Sequence, residues 1–229
     1  MNITLPDGNI RKMETGSTGL DLANDIGPGL AKAAIAVSVN GIQRDLSDPI
    51  NEDSEVSIIT IDSDEGLEIM RHTLTAQVLA RAVKNLYPNT KLAIGPTIKD
   101  GFYYDFEFVK PIAPDDLDKI EKEMQKIINS KSSITKKLQS KKEALKVFNS
   151  TGESYKESII EESEQEGDFQ LYYQDDDAFV DLCRGPHLPS LKHIGAFKLT
   201  KLAGAYWKGD SQNKMLTRIY GTAWKNEKD

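Results

Sequence analysis

Residues 67–88, LEIMRHTLTAQVLARAVKNLYP, and residues 101–108, GFYYDFEF, decide the fold of most of this chain. The first stretch carries apolar residues at helical spacing and ends before Pro88, which predicts the longest helix in the protein. The second stretch alternates so that its aromatic side chains share one face, which is typical of a strand. We therefore expect an α+β domain in which a long helix packs on an antiparallel sheet.

The segment before the long helix predicts a separate, smaller α+β domain. Turn signals at Pro6-Asp7-Gly8 and Asn40-Gly41 indicate two hairpins, and Thr18 is placed to cap a helix that Gly27-Pro28-Gly29 stops. The predicted order is two strands, a helix and three strands, at residues 2–5, 10–13, 20–26, 35–39, 42–46 and 56–61. A polar bridge at residues 62–66 then leads into the second domain, so the expected division is residues 1–62 and 63–229.

The larger domain continues with shorter elements and no internal repeat. A loop at residues 93–101 precedes the aromatic strand. The predicted helices after this strand cover residues 114–129, 142–149 and 155–160, and the predicted strands cover residues 134–138, 171–173, 178–182, 196–199 and 216–219.

Composition excludes several classes of protein. The 229 residues are 38% hydrophobic and 28% charged, with a net charge of −7. Neither a membrane-spanning run nor a secretory signal is recognisable, so we expect a cytoplasmic protein without membrane contact. An acidic total argues against general coating of nucleic acid, although one basic stripe could contact phosphates. That stripe contains Lys131, Lys136, Lys137, Lys141, Lys142 and Lys146.

The candidate chemistry lies in DLCRGPH, residues 181–187. The chain has only three histidines and one cysteine, and this motif holds one of each, His187 and Cys183. Asp181 and Cys183 would face the same side of a strand, and Gly185-Pro186 would turn the chain so that His187 returns toward them. The pair could ligate a metal or activate water; alternatively, it is a buried thiol beside a capping imidazole.

The first domain resembles the ubiquitin-like β-grasp module called TGS, through its order of elements, its LPDG start and its VNG turn. Farther on, the segments RHTLTAQVLARAV, KLAIGPTIKDGFYYDF, GESYKESI, DLCRGPH and GAYWKGDSQNKMLTRIYGTAW resemble the editing domain of bacterial threonyl-tRNA synthetases. The editing domain of alanyl-tRNA proteins shares the Cys and His pattern. The leading TGS module and the IGPxIxxGFYYDF run favour the threonyl family.

The resemblance implies hydrolysis of serine wrongly attached to tRNA(Thr). One methyl group is worth about 1–3 kcal/mol in a binding pocket, so a threonine site rejects serine poorly and a second, hydrolytic sieve is needed. By position, His187 would move protons and Lys156 would stabilise charge or hold the terminal ribose. Tyr104 and Asp181 would orient the substrate, and Cys183 would line the pocket. Without the resemblance, Lys156 would be interpreted as a surface residue and Tyr104 as a core residue.

One position departs from the family pattern of two histidines four residues apart on the long helix. Gln77 stands where the second histidine belongs, and His72 precedes it by five residues. In a regular α-helix five residues advance about 500°, which would place His72 and Gln77 on different faces. Either Thr73 and Gln77 replace both imidazoles, or a π-bulge returns His72 to the cleft, and we favour the bulge. Glutamine cannot accept a proton from water, which puts activity in question.

The resemblance also implies what the chain does not contain. After Trp224 no ATP-binding motif follows, so aminoacylation, with its ATP, magnesium and zinc, would reside in an absent core of a homodimeric enzyme. The fragment itself is expected to be monomeric, to contact the acceptor end of tRNA(Thr) and to bind no cofactor or metal, because a structural zinc site requires four protein ligands. The alternatives are an inactive tRNA-docking module and the N-terminal regulatory region of a uridine-kinase-like protein.

Overall fold

The computed structural model describes residues 1–175 and 177–228. The N-terminal part forms one mixed sheet with strand order β2-β1-β5-β3-β4, in which β1 pairs parallel to β5 and the other pairs are antiparallel. This is the predicted β-grasp arrangement. Its elements are β1 (Asn2–Thr4), β2 (Ile10–Lys12), α1 (Gly19–Ile26), α2 (Pro28–Ala33), β3 (Ala34–Val39), β4 (Ile42–Asp45) and β5 (Ser54–Thr60).

Local sequence signals explain most of these elements. Thr18 caps α1 through a reciprocal bond with Asp21, and Asn40 and Gly41 adopt the positive φ angles that the β3–β4 hairpin turn requires. The short helix α2 was not predicted. Gly27 ends α1 as expected, but Pro28 then begins a new helix, because proline fits the first helical position, where its missing N–H is not needed.

The long helix is continuous but changes its winding. It consists of α3 (Asp64–Thr73), a π-helical segment (Leu74–Leu79) and α4 (Ala80–Leu86). The backbone N–H of Ala80 donates to the carbonyl oxygen of Thr75, five residues earlier, as a π-helix requires. The predicted π-bulge is therefore confirmed.

The polar bridge predicted at residues 62–66 is too long, because Asp64, Glu65 and Gly66 already belong to the helix. Ser63 caps α3 by accepting from the backbone N–H of Gly66, and Asp64 and Glu65 lie in the first turn, where negative charge is favourable. A Cβ atom at Gly66 would lie 2.0 Å from the carbonyl oxygen of Thr60. The two parts of the chain are therefore joined tightly at this point.

Two antiparallel sheets complete the larger part of the chain, with strand orders β11-β10-β9 and β12-β13-β8-β6. A further short strand, β7, pairs with β8. The elements are β6 (Lys91–Leu92), β7 (Thr97–Ile98), β8 (Gly101–Glu107), α5 (Asp116–Asn129), β9 (Ile134–Gln139), α6 (Lys141–Thr151), α7 (Ser154–Glu162), β10 (Phe169–Gln174), β11 (Phe179–Leu182), β12 (Ala196–Tyr206) and β13 (Met215–Trp224).

The long helix packs on the larger sheet, as the sequence predicts. One apolar cluster joins Leu74 and Val78 of the helix to Phe102, Phe106 and Ile219 of the sheet. The last hairpin is longer than predicted, because β12 continues through a bulge between Leu199 and Lys201. The division into residues 1–62 and 63–229 stays a prediction. Within the part of the chain that the structure describes, no helix is long and apolar enough to cross a membrane.

Candidate functional site

Two histidines and the cysteine meet where the long helix faces the turn after β11. The Nε2 atom of His72 lies 2.7 Å from the Sγ atom of Cys183. The ring of His72 stacks on the ring of His187, with centroids 4.6 Å apart and planes 10° apart. The turn at Gly185 and Pro186 returns His187 toward Cys183, as the motif predicts. The sequence-predicted cluster of His72, Cys183 and His187 is therefore one site.

The π-helical segment that follows His72 contributes a second contact to this site. Thr73 immediately precedes the π segment, and its Oγ1 atom lies 3.1 Å from Nδ1 of His187. Both possibilities that the sequence left open for the helix therefore hold in part, because His72 and Thr73 both contact the site. Gln77 does not join them: its side-chain oxygen accepts from Nε2 of Gln174 at 2.8 Å.

The contacts of Thr73 determine which nitrogen of His187 carries hydrogen. The Thr73 hydroxyl donates to the carbonyl oxygen of Ile69 at 2.9 Å, so its oxygen is left to accept from Nδ1 of His187. The Nε2 atom of a neutral His187 then has a free lone pair. This atom is buried, and among the described residues it has no hydrogen-bond partner. It is the candidate proton acceptor of the site.

A buried ion pair lies beside the histidines. The Nζ atom of Lys156, in the first turn of α7, lies 2.7 Å from Oδ1 of Asp181. The Tyr104 hydroxyl donates to Oδ2 of the same carboxylate at 3.1 Å. Lys156 is 3% exposed and Asp181 is 1% exposed, so both charges are removed from water. The interpretation of Lys156 as a surface residue is wrong, and Tyr104 is both a core residue and part of this network.

The first turn of α7 is held in place by Glu153. Its carboxylate accepts from Nζ of Lys84 at 2.6 Å and from the backbone N–H of Leu92 at 2.7 Å. Because Glu153 directly precedes α7, these bonds fix the helix end that carries Lys156.

A cleft of about 420 Å³ opens next to the cluster. Polar groups line part of its wall, from Lys156, Ser163, Gln165, Gln170, Cys183 and Arg184. The apolar lining residues are Ile94, Ile159, Phe169 and Leu182. Its volume lies in the range of pockets that hold a small molecule or one nucleotide.

Burial keeps the two imidazoles neutral. Burial lowers the pKa of His72, against the opposing effect of the Asp181 carboxylate. Burial also lowers the pKa of His187, although Cys183 acts in the opposite direction. Burial raises the pKa of Tyr104 far above its ordinary value, which keeps its hydroxyl as a donor to Asp181. At neutral pH the site therefore offers neutral imidazole and a lysine ammonium held by a carboxylate.

The cluster has three atoms that could ligate a metal. Ligand atoms of His72, Cys183 and His187 all lie within 4.8 Å of one another. Two ligands of a tetrahedral zinc ion are about 3.5 Å apart, given Zn–S and Zn–N bonds of about 2.3 and 2.0 Å. The His72–Cys183 distance of 2.7 Å is shorter than this spacing, so the two atoms are not arranged as ligands of one zinc ion. The expectation that the chain binds no metal stays a prediction, which elemental analysis of the purified protein can check.

Two of the six lysines in the basic stripe, Lys136 and Lys137, form ion pairs within the protein. Nζ of Lys136 contacts Asp45 at 2.9 Å and Asp48 at 2.5 Å. Lys137 pairs with Asp177 at 2.7 Å. These contacts reduce the positive charge that the stripe offers to a nucleic acid.

Two residues that contact the site were not identified from the sequence. The side chain of Asp45, at the end of β4, accepts from the backbone N–H of His187 at 2.9 Å. The ring of Tyr172 packs edge-on against the His187 ring, with centroids 4.4 Å apart. Asp45 precedes His187 by 142 positions, and no local pattern predicts contacts over such separations. Tyr172 lies in a predicted strand, where a tyrosine is ordinarily interpreted as a packing residue.

Comparisons with known proteins match both parts of the chain. Residues 1–60 match the TGS domain, and residues 170–220 match the threonyl and alanyl tRNA synthetase second additional domain. The chain is 52% identical over 227 residues to a threonine–tRNA ligase of Hahella chejuensis and 51% identical over 229 residues to one of Francisella philomiragia. These alignments cover 99% and 100% of the chain but 35% and 36% of the relatives. The chain therefore spans about a third of the length of the curated relatives it matches.

Proposed function

Because the chain belongs with the N-terminal region of bacterial threonine–tRNA ligases, we propose that it hydrolyses serine from wrongly charged tRNA(Thr). The observation that carries this proposal is the buried Nε2 atom of His187, which has no hydrogen-bond partner among the described residues and lies near Cys183, a residue that lines the cleft. The proposed substrate is the ester between serine and the terminal ribose at the acceptor end. The reaction is an aminoacyl-tRNA deacylation that consumes one water molecule.

The proposed mechanism uses His187 as the proton carrier. Its Nε2 atom accepts a proton from a water molecule as the water oxygen bonds to the ester carbon, which forms a tetrahedral intermediate. The bond between the ester carbon and the ribose oxygen then breaks, and the same proton passes to that oxygen. Free serine and the ribose hydroxyl of the tRNA are the products.

The neighbouring residues hold the substrate and stabilise charge. The ammonium group of Lys156 lines the cleft, and the hydrogens that do not bond to Asp181 can donate to the ester or ribose oxygens. Asp181 holds Lys156 and Tyr104 in place. His72 holds the Cys183 thiol, which we assign to the pocket wall and not to nucleophilic attack. Gln77 would act only by supporting the helix through Gln174.

The walls of the cleft suit the end of a tRNA. Apolar side chains can pack on a base and a ribose, and the exposed guanidinium of Arg184 can approach a phosphate. One nucleotide with an attached amino acid fits a cleft of about 420 Å³. In this proposal the extra methyl group of threonine is excluded by the wall near Cys183.

The alternative functions receive less support. A docking module would require a free basic stripe, whereas Lys136 and Lys137 form ion pairs within the protein. The comparisons favour threonine–tRNA ligases over a uridine-kinase-like protein. We assign ligation of threonine with ATP, magnesium and zinc, and formation of a homodimer, to the part of the relatives that this chain does not span. We expect this chain to be monomeric and cytoplasmic.

The test is a deacylation assay with the chain as printed. We expect the purified chain to release serine from seryl-tRNA(Thr) faster than buffer does, and the His193→Ala variant to match it, because His193 lies outside the cluster. A chain that binds this tRNA without releasing serine would instead be a docking module.

The pH dependence of the reaction follows from the lowered histidine pKa values. A base with a lowered pKa remains unprotonated to lower pH, so activity is retained through pH 6.5, the ordinary value for histidine, and is lost as the pH falls further. We expect the acid midpoint of the rate of serine release to lie below 6.5. Measurement of single-turnover rates between pH 4.5 and 8.0 checks this, and a midpoint above 6.5 would contradict it.

A further inference from the structure

Asp45 of the β-grasp domain is bonded to the turn that carries His187. Its Oδ1 atom accepts from the backbone N–H of His187 at 2.9 Å. Its Oδ2 atom accepts from the Tyr172 hydroxyl at 2.7 Å and lies 2.9 Å from Nζ of Lys136. All three donors belong to the larger domain, and Asp45 itself is only 7% exposed. A carboxylate of one domain is thus bonded inside the site of the other.

These bonds restrict both the backbone and the ring of His187. The backbone N–H is held directly, and the ring stacks on His72 and contacts the Tyr172 ring at a near-perpendicular angle. The Tyr172 hydroxyl donates to Asp45 at 2.7 Å and also lies 3.1 Å from Oε1 of Gln170. Asp45 therefore holds the backbone N–H of His187 directly and contributes to the position of Tyr172.

The packing around the turn leaves little room for adjustment. A Cβ atom built at Gly185 would lie 1.9 Å from the Tyr172 hydroxyl oxygen and 3.5 Å from Oδ2 of Asp45. Gly185 also has a φ of +63°, a conformation that side chains other than glycine rarely adopt. The turn, Tyr172 and Asp45 therefore form one close-packed unit.

We propose that Asp45 is a positioning residue for His187, so that the β-grasp domain forms part of the machinery that aligns the hydrolytic site. This inference rests on the proposed function, because its kinetic test measures the release of serine. Asp45 touches no substrate and transfers no proton; it acts by keeping Nε2 of His187 in line with the water and the ester. Displacement of a reacting group by about 1 Å can slow an enzyme about 100-fold.

Asp48 provides a matched control at the same domain interface. Its carboxylate contacts Nζ of Lys136, as that of Asp45 does, but it forms no bond with His187 or Tyr172 among the contacts of the described residues. Loss of Asp48 weakens the ion pair between the domains and leaves the His187 turn intact. A comparison of Asp45→Ala with Asp48→Ala therefore separates positioning from simple attachment of the domains.

The kinetic test measures kcat and KM for serine release. We expect Asp45→Ala to lower kcat by about 10–100-fold with little change in KM, and Asp48→Ala to leave both near the starting values. Asp45→Asn keeps an oxygen that can accept from the His187 N–H, so we expect it to recover part of the lost kcat. An unchanged kcat in Asp45→Ala, or an equal loss in Asp48→Ala, would overturn the proposal.

A second measurement does not depend on activity. Hydrogen exchange of the His187 backbone amide reports its bond to Asp45 directly. We expect exchange to accelerate in Asp45→Ala and to remain slow in Asp48→Ala, with folding of both variants checked by circular dichroism. If the starting protein releases no serine, the proposed function fails. The exchange comparison still decides whether Asp45 holds the turn. Unchanged exchange of the His187 amide in Asp45→Ala would reject the role of Asp45.

Discussion

Replacement of His187 by alanine is expected to slow the release of serine from seryl-tRNA by about 10²–10⁴-fold, the usual contribution of a positioned general base. The reason is the state of its Nε2 atom, which is buried, neutral and without a partner among the described residues. No other group in the cluster replaces it as a base with the same orientation. Single-turnover measurement with saturating protein isolates the chemical step.

His193→Ala is the matched control for this substitution. His193 is a half-buried histidine in a short 3-10 helix, outside the cluster, so its loss is expected to leave serine release unchanged. His187→Gln keeps a side chain of similar length and reduces the effect of an empty space on folding. A rate for either His187 variant within a few-fold of the starting protein would show that another group activates the water.

Replacement of Lys156 by alanine is expected to lower the free energy of unfolding by about 3–5 kcal/mol, because it leaves the Asp181 carboxylate buried without its cation. The Tyr104 hydroxyl and the backbone N–H of Leu182, which also donate to this carboxylate, are neutral and cannot compensate its charge. The double variant Lys156→Met with Asp181→Leu removes both charges and should regain most of the lost stability. It should not release serine, because the ammonium group that lines the cleft is missing. Urea unfolding at neutral pH measures all three proteins.

Lys208 offers a control for the loss of a lysine. It pairs with Glu162, but both side chains are largely exposed, at 42% and 58%. Solvent screens such pairs, so Lys208→Ala should not change the unfolding curve measurably. Equal losses of unfolding free energy in Lys156→Ala and Lys208→Ala would mean that burial does not determine how much the Lys156–Asp181 pair contributes to stability.

Elements with local signals could be predicted from the sequence. The Asn40-Gly41 hairpin and the helix capped by Thr18 follow from turn and capping chemistry that acts over a few residues. The π-helical segment was predicted because His72 and Gln77 are five residues apart, whereas the family that the chain resembles has two histidines four residues apart. The start of α3 at Asp64 was missed, because polar residues before an apolar helix resemble a linker as well as a capped first turn.

Burial and long-range contacts could not be predicted in the same way. Nothing near Lys156 in the sequence indicates that its ammonium group is buried, since its partner, Asp181, lies 25 positions away in a strand. The contact between Asp45 and the His187 turn depends on how two domains pack. The approach of His187 to Cys183 could be predicted, because the turn within the DLCRGPH motif itself brings the two residues together.

The central claim is that the cleft beside Cys183 accepts serine, rejects threonine and lets water cleave the ester. Parallel measurement of serine and threonine release from seryl-tRNA(Thr) and threonyl-tRNA(Thr) tests it most directly. We expect serine to be released at least about 10-fold faster than threonine, because one methyl group changes binding by about 1–3 kcal/mol. Equal rates for the two amino acids, or release of serine no faster than in buffer, would contradict it.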